Sequence, residues 1–236
     1  MAKKVKKENN SNNDEVLIDA KDKFEKFKNY FNENKKLTTT ISSIVLLVIL
    51  FFSARQLWFA PSNEKSIKSD MITAETYFPV DSFNLAINGD GQYKGFVSII
   101  NEYEKSFPFY LNSKSADLAK YYAGISYLNV GDYQNAINYL SDFSSEDFIL
   151  SSLAKGCTGD AYWELGDIDN AIKSYNEAIE NSNNLFTAPR FLKKLARLHE
   201  LNNNVKEANK LYNKIKKDYK ESYEAKDIDL FISRTK

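Results

Sequence analysis

Cys157 and His199 are the one thiol and the one imidazole in the chain, so any nucleophile and base of the Cys–His kind would have to be built from them. Neither position suits that work. Cys157 lies between Gly156 and Gly159 on a helix where a small buried residue is wanted. His199 stands in a slot that two neighbouring repeats fill with tyrosine, so both read as packing residues. Gly89-Asp90-Gly91 is not a phosphate-binding loop, because the next glycine is Gly95 and no strand precedes it. Asp142, Glu146 and Asp147 lack the spacing of a calcium loop and read as a solvated face. The sequence therefore offers no catalytic residue, no cofactor site and no metal site, and it predicts a non-enzyme.

The residue types that remain belong to helices. The 236 residues contain 43% hydrophobic side chains but only 8 Gly and 4 Pro, which excludes a wholly disordered chain and leaves little for turn-rich β folds. Formal charge is zero, with 32 basic against 32 acidic residues. The balance hides a basic N-terminal region and an acidic excess beyond residue 60, opposite to the usual footprint of a nucleic-acid binder.

One apolar run interrupts this pattern. Ile41 to Ala60 reads ISSIVLLVILFFSARQLWFA, with Arg55 its only charge. As a helix it would span ~30 Å, the thickness of a hydrocarbon core. We expect one transmembrane helix over 37–60, a disordered tail over 1–15 and a polar linker over 61–69. Leu17, Ala20, Phe24, Phe27 and Phe31 recur at helical spacing, which predicts an amphipathic juxtamembrane helix over 16–36. Lys21, Lys23, Lys26, Lys28, Lys35 and Lys36 precede the apolar run, whereas Lys65 and Lys68 follow it. The bias places the N-terminus in the cytoplasm and residues 70–236 across a bacterial inner membrane, in the periplasm.

The region past the linker repeats itself. LAKYYAGISYLNVGDYQNAINYL, from Leu118, aligns with LAKGCTGDAYWELGDIDNAIKSY, from Leu153, at an offset of 35. Gly124 pairs with Gly159, Tyr127 with Tyr162, Gly131-Asp132 with Gly166-Asp167, and Ala136 with Ala171. A small residue, an aromatic three later, a Gly-Asp turn and an alanine five past the glycine define a helix-turn-helix repeat of the tetratricopeptide kind. The first glycine lets paired helices approach, the second ends helix A, and the alanine sits where helix B crosses it. Such a unit cannot bury its apolar face alone, so neighbours must stack. A third unit starts at Thr187-Ala188-Pro189 and turns at Asn202 to Asn204. An earlier one takes 69–88 as helix A, interrupted near Pro79, and Gln92 to Phe107 as helix B. Ala225, Ile228, Phe231 and Ile232 mark a capping helix. The fold class is thus an all-α, tetratricopeptide-like solenoid of about four helical hairpins plus a C-terminal cap, preceded by one transmembrane helix.

With DSFNLAINGDGQYKGFVSIINEY and EAKDIDLFISR, these segments resemble the membrane-anchored tetratricopeptide proteins of Bacteroidetes type. Those are similar to the ancillary Sec-translocon subunit and cell-division-coordinator class. The resemblance implies a scaffold without cofactors that binds proteins: translocon subunits, periplasmic chaperones or other envelope proteins. Counting in the repeat register, the concave face carries Tyr121, Ile125 and Leu128, then Gly156, Asp160 and Trp163, then Arg190, Lys193 and Arg197. Aromatics flanked by charge suit capture of a peptide segment. Of the residues that would clamp a peptide carboxylate only Arg190 and Lys194 are present. Residues 141–185 are acidic and 190–220 basic. The rival reading is a homo-oligomer that self-associates through its tyrosine- and phenylalanine-rich faces.

Overall fold

The computed structural model describes residues 21, 23, 25, 26, 28–30, 32–58, 60–78, 82–105, 113–180 and 184–236. The chain divides into two units, residues 1–58 and 59–236.

The first unit is built on helix α1, Lys35–Trp58. Lysines and threonines open it, and the hydroxyls of Thr39 and Thr40 donate back to the carbonyls of Lys35 and Lys36 at 2.7 and 2.8 Å. From Ile41 to Phe52 its large apolar side chains are all exposed. The stretch Lys35–Ala54 has a mean hydropathy of 2.2 and is long and apolar enough to cross a membrane. Upstream, the described positions between 21 and 33 are helical. The tail over 1–15 and the stripe of Leu17, Ala20, Phe24, Phe27 and Phe31 lie outside the described residues.

The second unit has a helix where a linker was expected over 61–69: α2, Ala60–Glu75. Pro61 falls in its first turn, where a missing N–H costs nothing. Ile67, Met71 and Ala74, spaced by four and three, are buried and hold the helix to the solenoid. A sparse apolar stripe among serines and lysines reads as a linker until its packing partners are known. Helix A of the first hairpin is therefore α2, and the expected 69–88 helix is two elements. The second of them is the short α3, Phe83–Asn88. Gly89, at φ 80°, then turns the chain, and a Cβ there would collide with the Tyr93 carbonyl. Asp90 closes the turn by accepting from the amides of Gln92 and Tyr93 at 2.9 and 2.7 Å. Helix B of this hairpin is α4, Phe96–Lys105, with Phe96 and Ile100 buried.

Three hairpins follow: α5 (Lys114–Val130) with α6 (Tyr133–Asp142), α7 (Phe148–Glu164) with α8 (Ile168–Glu180), and α9 (Thr187–Leu201) with α10 (Val205–Asp218). A 3-10 turn, Tyr223–Asp227, leads into α11, Ile228–Arg234, which closes the stack with Ile228 buried.

The repeated residues do the same work in each hairpin. Gly131 and Gly166 adopt φ of 82° and 75°, and Asn203 fills the equivalent slot at 61°. The following amides, of Asp132, Asp167 and Asn204, bond the carbonyls of Tyr127, Tyr162 and His199 at 2.9, 2.9 and 2.8 Å. Asp132 and Asp167 each accept at 3.2 Å from an amide three residues on, which starts helix B. A Cβ on Gly124 would lie 2.5 Å from Leu140, and one on Gly159 2.8 Å from the Tyr175 ring. These glycines are the contact points of their hairpins.

Glu64 ties α2 to the second hairpin. The Ser113 and Ser115 hydroxyls donate to its carboxylate at 2.6 Å each, and the Ser115 amide at 2.8 Å. Burial acts to raise the Glu64 pKa, but these donated bonds outweigh it and hold the carboxyl below its ordinary value. A depressed folded-state pKa contributes stability above the unfolded value of about 4.3 and loses it as pH falls through the folded one. Glu64→Gln is expected to cost about 1 kcal/mol at pH 7, since the clamp is partly solvated. Between pH 4.5 and pH 3 the variant's melting temperature should fall less than the wild type's. Parallel acid-side slopes in thermal melts would show that the clamp carries no stability.

Candidate partner-binding surface

The first helices of the hairpins lie side by side and parallel. Lys194 donates to both Asp160 oxygens at 2.6 Å, Lys193 to Asp227 at 2.7 Å, and Arg234 to Glu200 at 2.9 Å. In each pair the partners stand 34 residues apart. From α7 through α9 to the C-terminal segment, residue n thus meets residue n + 34, and the segment 223–234 continues the row as a half-repeat. Its outer side carries Lys226, Asp229 and Ser233 around Leu230, a largely polar face of the sort that ends a stack.

This row decides what each expected groove residue does. Tyr121, Ile125 and Leu128 are half-buried against the core shared by α5, α6 and α7. Burial, reinforced by the neighbouring Cys157, pushes the Tyr121 phenol to about 12. Trp163 is half-buried against the α7–α10 core, edge-on to Tyr175 at 6.4 Å. Asp160 is held by Lys194 and also accepts from the Tyr175 hydroxyl at 2.6 Å. Lys193 is engaged by Asp227 and lies over the Phe231 ring at 4.6 Å. Arg190 and Arg197 are exposed. Much of the expected recognition face is thus occupied in joining hairpin to hairpin, which leaves the two arginines as its open charges. Gly156, placed on the same face by register, instead meets Phe191 of the next hairpin.

The thiol and the imidazole do not form a nucleophile and base. Burial, with the field of Asp160, pushes the Cys157 thiol up to about 11, so it stays protonated. Burial also holds the His199 imidazole below its usual value, and its Nδ1 lies 3.5 Å from the Asn204 amide. Among the described residues no group of three or more His, Cys, Asp or Glu could hold a metal ion. Asp142 pairs with Lys120, Glu146 with Lys114 at 3.3 Å, and Asp147 caps α7 by accepting from Ile149 and Leu150 at 2.8 and 3.1 Å.

The sequence reading missed a cleft of about 580 Å³ between the N-terminal ends of α5 and α7. Leu118, Phe143 and Leu150 give it apolar walls, and Asp117, Glu146, Asp147 and Lys114 stand around it. The signal lay in the connections between hairpins, where apolar side chains sit among acids.

Residues 121–185 and 158–222 match the tetratricopeptide-repeat family. No curated protein matches the chain in sequence. Two crystal structures of nearly identical TPR-like repeats from a putative kinesin light chain of Podosopora anserina are similar in fold. One of them, carrying a single substitution, aligns with a TM-score of 0.55 at 15% identity, covering 73% of this chain and 85% of that one. The other aligns at 0.54 and 14%, covering 73% and 86%. The likeness shows a shared solenoid fold.

Proposed function

From a chain whose residues 121–222 are tetratricopeptide repeats, we propose a membrane-anchored scaffold that binds protein partners on the periplasmic side of a bacterial inner membrane. The repeats support protein binding as the activity, because stacked hairpins present long surfaces. The observation that carries the anchor is α1, whose large apolar residues from Ile41 to Phe52 are all exposed among the described residues. A run of that length exposed to water would be far larger than the apolar patches soluble surfaces tolerate. Six lysines close before the apolar run against two after it favour the orientation that carries the solenoid across the membrane. The resemblance to translocon-associated proteins points to translocon subunits, or chaperones receiving exported chains, as the partners.

The anchor and its orientation are tested by fusing a reporter after Lys236. Activity of an export-dependent reporter, and silence of one that works only in the cytoplasm, are expected; the opposite pattern would overturn the topology. Arg197→Glu probes the groove separately. An acidic partner segment should associate more slowly with this variant and lose much of its salt dependence, while helix content stays unchanged. Association unchanged at two salt concentrations would remove Arg197 from recognition.

A further inference from the structure

Because the first helices of the hairpins run parallel, their N-terminal ends share one edge of the solenoid. Three successive steps, at α7, α9 and the C-terminal cap, place large apolar side chains there. Phe148 opens α7, Leu185 and Phe186 precede α9, and Tyr223 opens the 3-10 turn, each with more than half its surface exposed. Phe148, Phe186 and Tyr223 stand 38 and 37 residues apart, at or just before the starts of successive elements, so they follow the helix starts rather than the 34-residue register. The 580 Å³ cleft opens on the same edge. We propose that this edge is a docking surface, separate from the concave groove, for a partner-protein segment that carries leucine-like side chains next to lysines or arginines.

Charge selects that occupant. Asp117, Glu146 and Asp147 face the cleft against Lys114. Lys114 and Glu146 pair with each other almost fully in solvent, so Asp117 and Asp147, the latter also capping α7, leave the lining net negative. Burial pushes the Asp117 carboxyl up, Lys120 pulls it down, and Asp142 and Glu64 push it up again. The net displacement is upward and owed first to burial, so it is the acids lining the cleft that favour a cation there. Apolar walls from Leu118, Phe143 and Leu150 take the side chain beside that cation. The same charge disfavours an anionic lipid surface.

This inference rests on the reading of the chain as a protein-binding scaffold, and its test is built to fail separately. The full chain is placed in nanodiscs of neutral phosphatidylcholine and titrated into a dye-labelled peptide of alternating leucine and lysine, with empty nanodiscs as the baseline. Saturable binding above that baseline is expected. Glu146→Lys and Phe148→Ser should each weaken it about tenfold, and a leucine–glutamate peptide should bind at least about tenfold more weakly. Both substitutions fall on exposed side chains, so melting temperatures should not move. Wild-type affinity in both variants, or equal binding of the glutamate peptide, overturns the edge. A concentration-dependent dimer abolished by Glu146→Lys also overturns it, by seating a second copy there. If the edge fails while crosslinks to non-self proteins respond to Arg197→Glu, the scaffold reading stands on the groove alone.

Discussion

Replacing Gly156 with valine is expected to destabilise the solenoid by about 3 kcal/mol or more, lowering its melting temperature by roughly 6–12 °C. A Cβ at this position would run into Cε1 and Cζ of Phe191, well inside van der Waals contact. The ring is fully buried and stacks on Tyr175 at 6.2 Å, so it has nowhere to retreat. Gly131→Ala makes the contrast. No atom lies within 4 Å of a Cβ there, and only the φ of 82° opposes a side chain, a strain of about 1 kcal/mol. Calorimetry on both variants measures the difference. Equal losses would mean that α7 and α9 do not approach at Gly156.

Asp160→Ala is the second large effect, expected at about 2–3 kcal/mol. The Asp160 and Lys194 side chains keep only 20% and 32% of their exposure, and Tyr175 is fully buried. Removing the carboxylate strands a phenol and an ammonium together, at the seam between two hairpins. Partial solvent access of Lys194 keeps the cost below that of a fully buried pair. In the Asp160→Ala background Lys194→Met should cost little, whereas in the wild type it leaves a charged Asp160 without its cation. Urea melts of the double-mutant cycle are expected to return a coupling above about 1 kcal/mol. Additive losses would show that the two side chains act independently.

The hairpins were legible in the sequence because close helix crossings admit few residue types. Gly124 and Gly159 recur at one offset since each faces a helix B side chain, Leu140 or Tyr175, with no room for a Cβ. Asn203 shows the limit of that code: it takes the left-handed slot without glycine, and the Thr187-Ala188-Pro189 helix start and the asparagine run at 202–204 kept the third repeat in view. The first hairpin was misread because α2 buries only a sparse stripe, while α3 inserts between its two helices. For the groove the limit of sequence was another one. Register assigns a residue to a face, but the face of one helix is also the neighbour of the next, and opposite charges 34 residues apart close on each other. Asp160 with Lys194, Lys193 with Asp227, and Glu200 with Arg234 were all present as charges in the sequence, yet their distance along the chain gave them meaning only once the helices lay parallel.

Chemical crosslinking of the full-length chain in intact membranes, followed by mass spectrometry, tests the central claim most directly. A membrane-anchored scaffold predicts crosslinks from lysines of the solenoid, such as Lys155, Lys173 and Lys214, to other envelope or exported proteins, retained when the chain is expressed at low level. Crosslinks confined to copies of this chain, with no other protein recovered, would contradict it and leave a self-associating structural protein in its place.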